Sequence, residues 1–511
     1  MVARILVIAG SDSSGGAGLE ADQKVIAAHG CYGMTATTAL TAQNTEGVHG
    51  VHEVPPAFLR KQIDACLSDI GADVIKTGML ASAATIETIA EALAEHKVKT
   101  IVVDPVMVAT TGAKLLPTEA LTALREKLLP QTTIVTPNFP EACLMWKEYS
   151  KSSQDQQPPE KVSDFEAFVE KFAEMVPEWV LVKGGHCPFT RDGNLAKTEA
   201  EKEIVVDLLY RRGTMIKFES PYQSSRHTHG TGCSLASAIA CHLAQGVDVP
   251  EAVRLASRYI EAAIRTAPGL GKGSGPLNHF HSIYRLPFAP GRFVDYLLGR
   301  PDVAPVWHRF VNHPFVLAMG DGTLPLESFK GYLIQDYLYL VHFARANALA
   351  SYTAKNIRDI AASAAIVTHI TREMSLHITY CQEFGVSQEE IENTEELQAC
   401  TAYTRYVLDI GQSEDWIGLQ IALAPCLLGY GAIAEQLHSS PDARKGAAEN
   451  RYWPWIENYV AEDYVAAVKT GSELLERHAV LQSASRIEEL VKIFIHATKM
   501  EIGFWEMFSS S

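Results

Sequence analysis

Residues 227–233 read HTHGTGC and place a cysteine where a glycine turn opens into an apolar stretch. A helix N-terminus presents unpaired backbone N–H groups and the positive end of the peptide dipole. Gly230, Thr231, Gly232 and Cys233 can therefore close around an anion such as a transferring phosphoryl group without a side-chain cation. The same dipole lowers a thiol: about 0.3–1 kcal/mol, at most ~2, amounts to about one unit from ~8.5. On residue types alone Cys233 can be a base, a nucleophile, a metal ligand beside His227 and His229, or a small residue packing a helix start. Against the metal, the two histidines alternate across an extended segment and have no further ligand at a usual zinc spacing.

Other polar residues of the first half gather at points where strands end. AGSDSSGGAGLEADQK supplies a flexible loop and then Asp22 on the first turns of a helix, and TAQNT supplies Gln43, whose amide both donates and accepts. VVDPVM leaves Asp104 at the end of one strand and TPNFPEA leaves Asn138 and Glu141 at another, where α/β proteins place ligands. Such oxygen donors suit Mg2+. LVKGGH offers Lys183 as a point charge for phosphates. In the second half Cys426 stands in ALAPCLLGYG, an apolar helical run in which a buried structural cysteine is the ordinary reading. The segments around it concentrate acids and aromatics: Asp336 and Tyr339 in LIQDYLYL, Tyr403 in TAYTRY, Tyr430 in LLGYG, Tyr459 in ENYVAEDY and Glu501 in KMEIGFW. A buried carboxylate in such a helix needs a partner.

Two kinds of element must hold these groups. Up to about residue 280, short β-branched runs (ILVIAG, MTATTALTAQ, VIKTG, TIVVDP, TIVTPN, WVLVKGG) alternate with amphipathic stretches near 57–69, 83–96 and 118–129 and from about Gly16, Gly232 and Val249. That is the pattern of a mostly parallel sheet covered by helices. Residues 149–164 read as an exposed insertion, and the Gly-rich stretch 267–278 as the place where the first domain closes and a linker begins. Beyond Arg292 apolar residues recur at helical spacing and predict an all-helical domain. The expected division is 1–282, a linker 283–292, and 293–511.

Bulk composition removes several classes of function. The 511 residues are 47% hydrophobic and 20% charged, as in a globular multidomain protein. A net charge of −16 argues against a nucleic-acid or anionic-membrane surface, so any phosphate is held locally. Nine cysteines without a C-x-x-C pair fit a reducing, cytoplasmic compartment. The apolar run at residues 5–9 is too short for a signal segment, and the expectation is that no uncharged stretch approaches the ~20 residues of a membrane span.

With those residues in place, the first ~280 residues resemble the hydroxymethylpyrimidine and hydroxymethylpyrimidine-phosphate kinases of the ribokinase-like superfamily. AGSDSSGGAGLEAD, TALTAQNT, TGML, TPNFPEA, VKGGH and HGTGC occur in the family's order. The resemblance implies a ribokinase-like α/β fold with Cys233 as the base, where related sugar and pyridoxal kinases carry Asp. It implies an anion hole at Gly230, Thr231, Gly232 and Cys233, and a substrate pocket of Asp22, Gln43 and Met79. Lys183 would hold the phosphates of ATP, with Asp104, Asn138 and Glu141 organising Mg2+. The substrates it implies are hydroxymethylpyrimidine and its monophosphate.

Residues 293–511 resemble thiaminase II, a helical-bundle family with the haem-oxygenase-like fold, through HPF, DGTLP and QDYLYL. That resemblance implies Cys426 as a nucleophile adding to the pyrimidine ring and Asp336 gripping its nitrogen and amino group. Glu501 would move protons, with Tyr339, Tyr403, Tyr430 and Tyr459 around the ring. The implied substrates are thiamine or its aminomethyl-pyrimidine breakdown product. His308, His313 and His342 could serve a haem, but QDYLYL and Cys426 match the pyrimidine family. The combination resembles fungal fusions of the two enzymes, and both families imply a homo-oligomer. The competing reading is a pyridoxal-type kinase fused to a non-catalytic pyrimidine-binding domain.

Overall fold

The computed structural model describes residues 2–107, 118–151, 156–176, 178–440 and 444–508. The chain divides into two compact units, Met1–Ile283 and Tyr284–Ser511.

In the first unit the strands are β1 (Arg4–Ala9), β2 (Tyr32–Thr37), β3 (Ala39–Asn44), β4 (Gly47–Glu53), β5 (Val74–Thr77), β6 (Ile101–Val103), β7 (Ile134–Val135), β8 (Trp179–Val182), β9 (Ile204–Arg211) and β10 (Thr214–Pro221). Eight of them form one sheet in the order β10-β9-β8-β7-β6-β5-β1-β2. The six from β8 to β2 run parallel, and β9 and β10 are antiparallel. Side chains alternate across the sheet, so each face needs its own cover. Ile5, Val7, Val74 and Leu181 pack under the helices Gly18–Ala28, Thr231–Ala244 and Val249–Arg265. Leu6, Ile8, Ile75 and Val180 pack on the other side against Pro56–Asp69, Ala83–Glu95 and Val162–Phe172.

Several expectations are corrected here. MTATTALTAQ is two strands, because Thr38 turns the chain: its amide bonds to Ala9 O at 2.9 Å and its hydroxyl to Met79 O at 2.6 Å. β3 then leaves the main sheet and pairs only with β4. The β9–β10 hairpin and the Val162–Phe172 helix are additional to the elements the sequence pattern predicts. The helix near 118–129 stops at Ala123 and continues as a wider turn, Leu124–Leu128. Residues 267–278 pack back onto the first unit: Ser274 N reaches Thr45 O at 2.9 Å and His229 N reaches Gly275 O at 3.1 Å.

Among the described residues, the second unit is built of helices: Phe293–Gly299, Ala304–Val311, Pro314–Gly320, Leu326–Thr353, Ile357–Glu383, Gln388–Asn393, Gln398–Ser413, Trp416–Ser439, Trp453–Val460, Glu462–Ala479 and Ala484–Glu506. Trp416–Ser439 corrects another expectation, since it is long and apolar enough to cross a membrane. Here 78% of its most apolar stretch is buried inside the protein, as the central helix of the bundle.

Candidate functional site

At the C-terminal ends of the parallel strands lies a cavity of about 650 Å³. Gly10, Ser11 and Asp12 reach it from β1, Met79 from β5, Asp104 from β6, Asn138 from β7 and Lys183 from β8. The expected anion loop closes it. Gly230 caps the Thr231–Ala244 helix at φ 81°, and a Cβ there would lie 1.9 Å from Gly16 O, so two glycine-rich loops touch at a point where no side chain fits. Lys183 Nζ would stand 3.0 Å from a Cβ on Gly232 and bonds to Asp104 Oδ1 at 2.9 Å. The amide loop, one ammonium and one carboxylate therefore share the phosphate end of the cavity.

Gln43 sits at a bulge, where the β3–β4 register shifts between Ala42 and Gln43 and re-aims the side chain. Its backbone is tied to Ser13 in both directions, at 2.8 and 2.9 Å. Asp12, unread in the sequence, organises this wall. It accepts from Ser14 N and Oγ at 2.9 and 2.7 Å and from Gly16 N and Ala17 N at 3.1 and 2.8 Å. His229 Nε2 stands 2.8 Å from its Oδ2. Burial opposes the charge, yet the bonds from His229 and Ser14 outweigh it and hold Asp12 at about 2. Because an ionised Asp12 only accepts, His229 Nε2 carries the proton. His229 thus ties the segment before Gly230 to the Asp12 loop.

Two expectations fail at this site. Asp22 does not line the cavity: it has no exposed surface and bonds to Lys76 Nζ at 3.0 and 2.9 Å and to Ser237 Oγ at 2.7 Å. The Cys233 thiol does line the cavity, but it is not depressed. Burial pushes it up to about 11, against the pull of Lys76 and a bond from the Gly18 amide.

Asn138 and Glu141 form a reciprocal cap on the Phe139–Ser150 helix, each side chain bonding the other's amide at 2.9 Å. Glu141 also faces the cavity, and burial, with Asp104 adding to it against Lys183, raises its carboxyl to about 7. Two carboxylates left short of positive charge fit a divalent cation. Among the described residues no three His, Cys, Asp or Glu side chains stand close enough to ligate one. This donor set fits Mg2+ held chiefly by phosphates and water.

In the second unit the sequence-selected residues converge. Asp336 and Tyr339 lie on Leu326–Thr353, Tyr403 on Gln398–Ser413, Tyr430 and Cys426 on Trp416–Ser439 and Glu501 on Ala484–Glu506. Asp336 and Glu501 are 4% and 1% exposed. Tyr403 donates to Glu501 at 2.8 Å and stacks on Tyr339 with ring centres 4.9 Å apart. Burial lifts the hydroxyls of Tyr339, Tyr403 and Tyr430 far above their ordinary range, helped chiefly by Cys426 at Tyr339, by Glu501 at Tyr403 and by Tyr332 at Tyr430, with Cys426 acting on all three. Tyr459 closes an aromatic wall, 5.3 Å from Tyr430 and 4.6 Å from Trp455. Burial, with Asp336 adding to it against the Tyr403 bond, raises Glu501 to about 8. Pro425 precedes Cys426 inside the helix and removes one backbone hydrogen bond beside the thiol. Tyr332 was missed: fully buried, it accepts from Trp455 Nε1 at 3.3 Å. Its place one turn before Asp336 was the available signal.

Residues 12–278 match the profile of the phosphomethylpyrimidine kinase family. The chain belongs to that family. Residues 300–511 match the TENA/THI-4/PQQC family. A Schizosaccharomyces pombe protein provisionally named hydroxymethylpyrimidine/phosphomethylpyrimidine kinase 2 is 42% identical over 98% of this chain and 90% of its own length. The Saccharomyces cerevisiae hydroxymethylpyrimidine/phosphomethylpyrimidine kinase THI20 is 33% identical over 98% of this chain and 94% of that protein. A solved phosphomethylpyrimidine kinase from Clostridium difficile, 37% identical, covers 51% of this chain and 99% of that chain at a TM-score of 0.42.

Proposed function

We propose that this phosphomethylpyrimidine kinase family member couples two activities on one pyrimidine. The first unit transfers phosphate from ATP to the 5-hydroxymethyl oxygen of 4-amino-5-hydroxymethyl-2-methylpyrimidine, and then to the monophosphate. The observation that carries this reading is the shared cavity of Cys233, the 230–233 amides, Lys183 and Gln43.

Phosphoryl transfer needs positioning and charge neutralisation more than covalent work. Gln43 and Met79 hold the aminopyrimidine and Lys183 binds the nucleotide phosphates. The Gly230, Thr231, Gly232 and Cys233 loop receives the charge that develops on the moving group. Cys233, as thiolate, takes the hydroxyl proton while the oxygen bonds to the γ-phosphorus and the bond to ADP breaks. Mg2+, supported by Asp104, Asn138 and Glu141, supplies further neutralisation when bound.

The second unit is read as a hydrolase of thiamine or the aminomethyl-pyrimidine. Cys426 adds to the ring, because a ring-bound methylene leaving group is poor until aromaticity is broken. Asp336 holds the ring nitrogen and amino group, Glu501 delivers a proton to the departing group, and Tyr339, Tyr403, Tyr430 and Tyr459 enclose the ring. Water then releases hydroxymethylpyrimidine, the first unit's acceptor. We place the protein in the cytoplasm, as a homo-oligomer without nucleic-acid or membrane partners.

The test offers the purified chain ATP with hydroxymethylpyrimidine or pyridoxal, and separately offers it thiamine or aminomethyl-pyrimidine. Preferred phosphorylation of hydroxymethylpyrimidine and release of the same compound support the reading. Preference for pyridoxal with no release from either substrate supports a pyridoxal-type kinase carrying a binding domain.

A further inference from the structure

Lys76 has no part in the roles above. It is carried by β5, has no exposed surface, and its Nζ contacts both oxygens of Asp22, which is equally enclosed. Ser237 donates to Asp22 Oδ1 at 2.7 Å and lies one helical turn beyond Cys233, on the same face of Thr231–Ala244. Three elements thus fix one ammonium: β5 carries it, Gly18–Ala28 supplies its counter-ion, and the catalytic helix orients that counter-ion. A Cβ on Gly78 would lie 3.3 Å from Nζ, so the ammonium reaches past the end of β5 toward the Met79 loop.

The groups that act on Cys233 are Lys76 from β5, Asp22 from Gly18–Ala28, Asp104 following β6, Lys183 following β8, and the Gly18 amide. Lys183 pairs with Asp104 at 2.9 Å. Through Asp22 and Ser237 the Lys76 ammonium is fixed against the helix one turn from Cys233, and its charge there favours the thiolate. Buried ion pairs add little to stability over apolar packing of the same volume, so stability alone gives no reason to enclose one here.

We propose that Lys76 is a positioning residue for phosphoryl transfer: held by Asp22 and Ser237, its ammonium stabilises the Cys233 thiolate that receives the hydroxymethyl proton. This rests on the reading of Cys233 as the base. Lys76 stays charged throughout; the proton moves from the substrate oxygen to sulfur and leaves to water after the product departs.

The test uses the full chain as wild type, Lys76→Arg, Lys76→Met and the double variant Asp22→Asn/Lys76→Met, which leaves no unpaired buried charge. Iodoacetamide alkylation of Cys233, read by mass spectrometry of its peptide at pH 8 and 9 without substrate, reports the thiolate directly. An opposite charge at close range shifts a titration by roughly 1–3 units, so both Met variants are expected to react about tenfold more slowly or worse. Lys76→Arg retains the rate, and kinase turnover falls in parallel with alkylation. Unchanged alkylation in both Met variants overturns the role of Lys76. Slowed alkylation with unchanged phosphoryl transfer overturns the reading of Cys233 as base, and with it the catalytic meaning of Lys76.

Discussion

Tyr403 donates its hydroxyl hydrogen to Glu501 at 2.8 Å, and both side chains are closed to solvent. Burial outweighs that bond and sets the carboxyl at about 8, so Glu501 is largely a neutral acid at pH 7 and can deliver a proton. A carboxyl raised in the folded state favours folding most below its unfolded value, and this contribution is lost as pH climbs toward 8. Glu501→Gln keeps an acceptor for Tyr403 and cannot ionise. Its thermal stability is expected to gain on wild type above pH 8, while pyrimidine release falls by roughly 10²–10⁴. Melting curves at pH 5 and 9, with a release assay, check both.

Kinase turnover should rise with pH. The Cys233 thiol lies at about 11, so the thiolate fraction climbs steadily across the neutral and alkaline range. Cys233→Asp places an acid with an ordinary value near ~3.9 at that position, and burial raises it. The expected profile reaches its plateau at a lower pH than the wild type's. A pH–rate series on both proteins measures the displacement.

Asp12→Ala removes the acceptor for four loop hydrogen bonds and for His229. Hydrogen bonds to a charged group contribute ~1.5–3 kcal/mol each but are not additive, so a loss of roughly 2–4 kcal/mol is expected in urea titration. Because the folded value is depressed to about 2, this stabilisation is present above the unfolded value and disappears as pH falls toward 2. The loop also carries the Gln43 wall, and the KM for the pyrimidine should rise more than kcat falls.

Gly230→Ala meets Gly16 O at 1.9 Å in a conformation at φ 81°. Positive-φ strain alone costs about 1–3 kcal/mol. The substitution should displace the anion loop and abolish kinase turnover, while the second unit keeps its pyrimidine-releasing activity. Parallel assays on one preparation separate the two.

Much of this was legible because short motifs sit at strand ends and helix starts, where chain order dictates position. Asp104, Asn138, Lys183 and the 230–233 loop reach one cavity for that reason. What stayed hidden depended on contacts distant in sequence. Asp22 is plainly within the first turns of a helix, but its partner Lys76 comes 54 residues later on a strand, and only packing decides that both face inward. The Cys233 thiol shows the same limit, since the dipole follows from local sequence and burial does not. The β9–β10 hairpin had a local signal that went unread: Arg212 and Gly213, both at positive φ, between two β-branched runs. In the second unit the apolar run 416–434 was legible as helix, but only its burial distinguishes a bundle core from a membrane span.

The most direct test gives ATP, hydroxymethylpyrimidine and thiamine to wild type, Cys233→Ala and Cys426→Ala, and follows pyrimidine phosphate and thiazole separately. The account predicts that Cys233→Ala loses phosphorylation and still releases thiazole, and that Cys426→Ala does the reverse. Phosphorylation unaffected in Cys233→Ala, or thiazole release unaffected in Cys426→Ala, would contradict it.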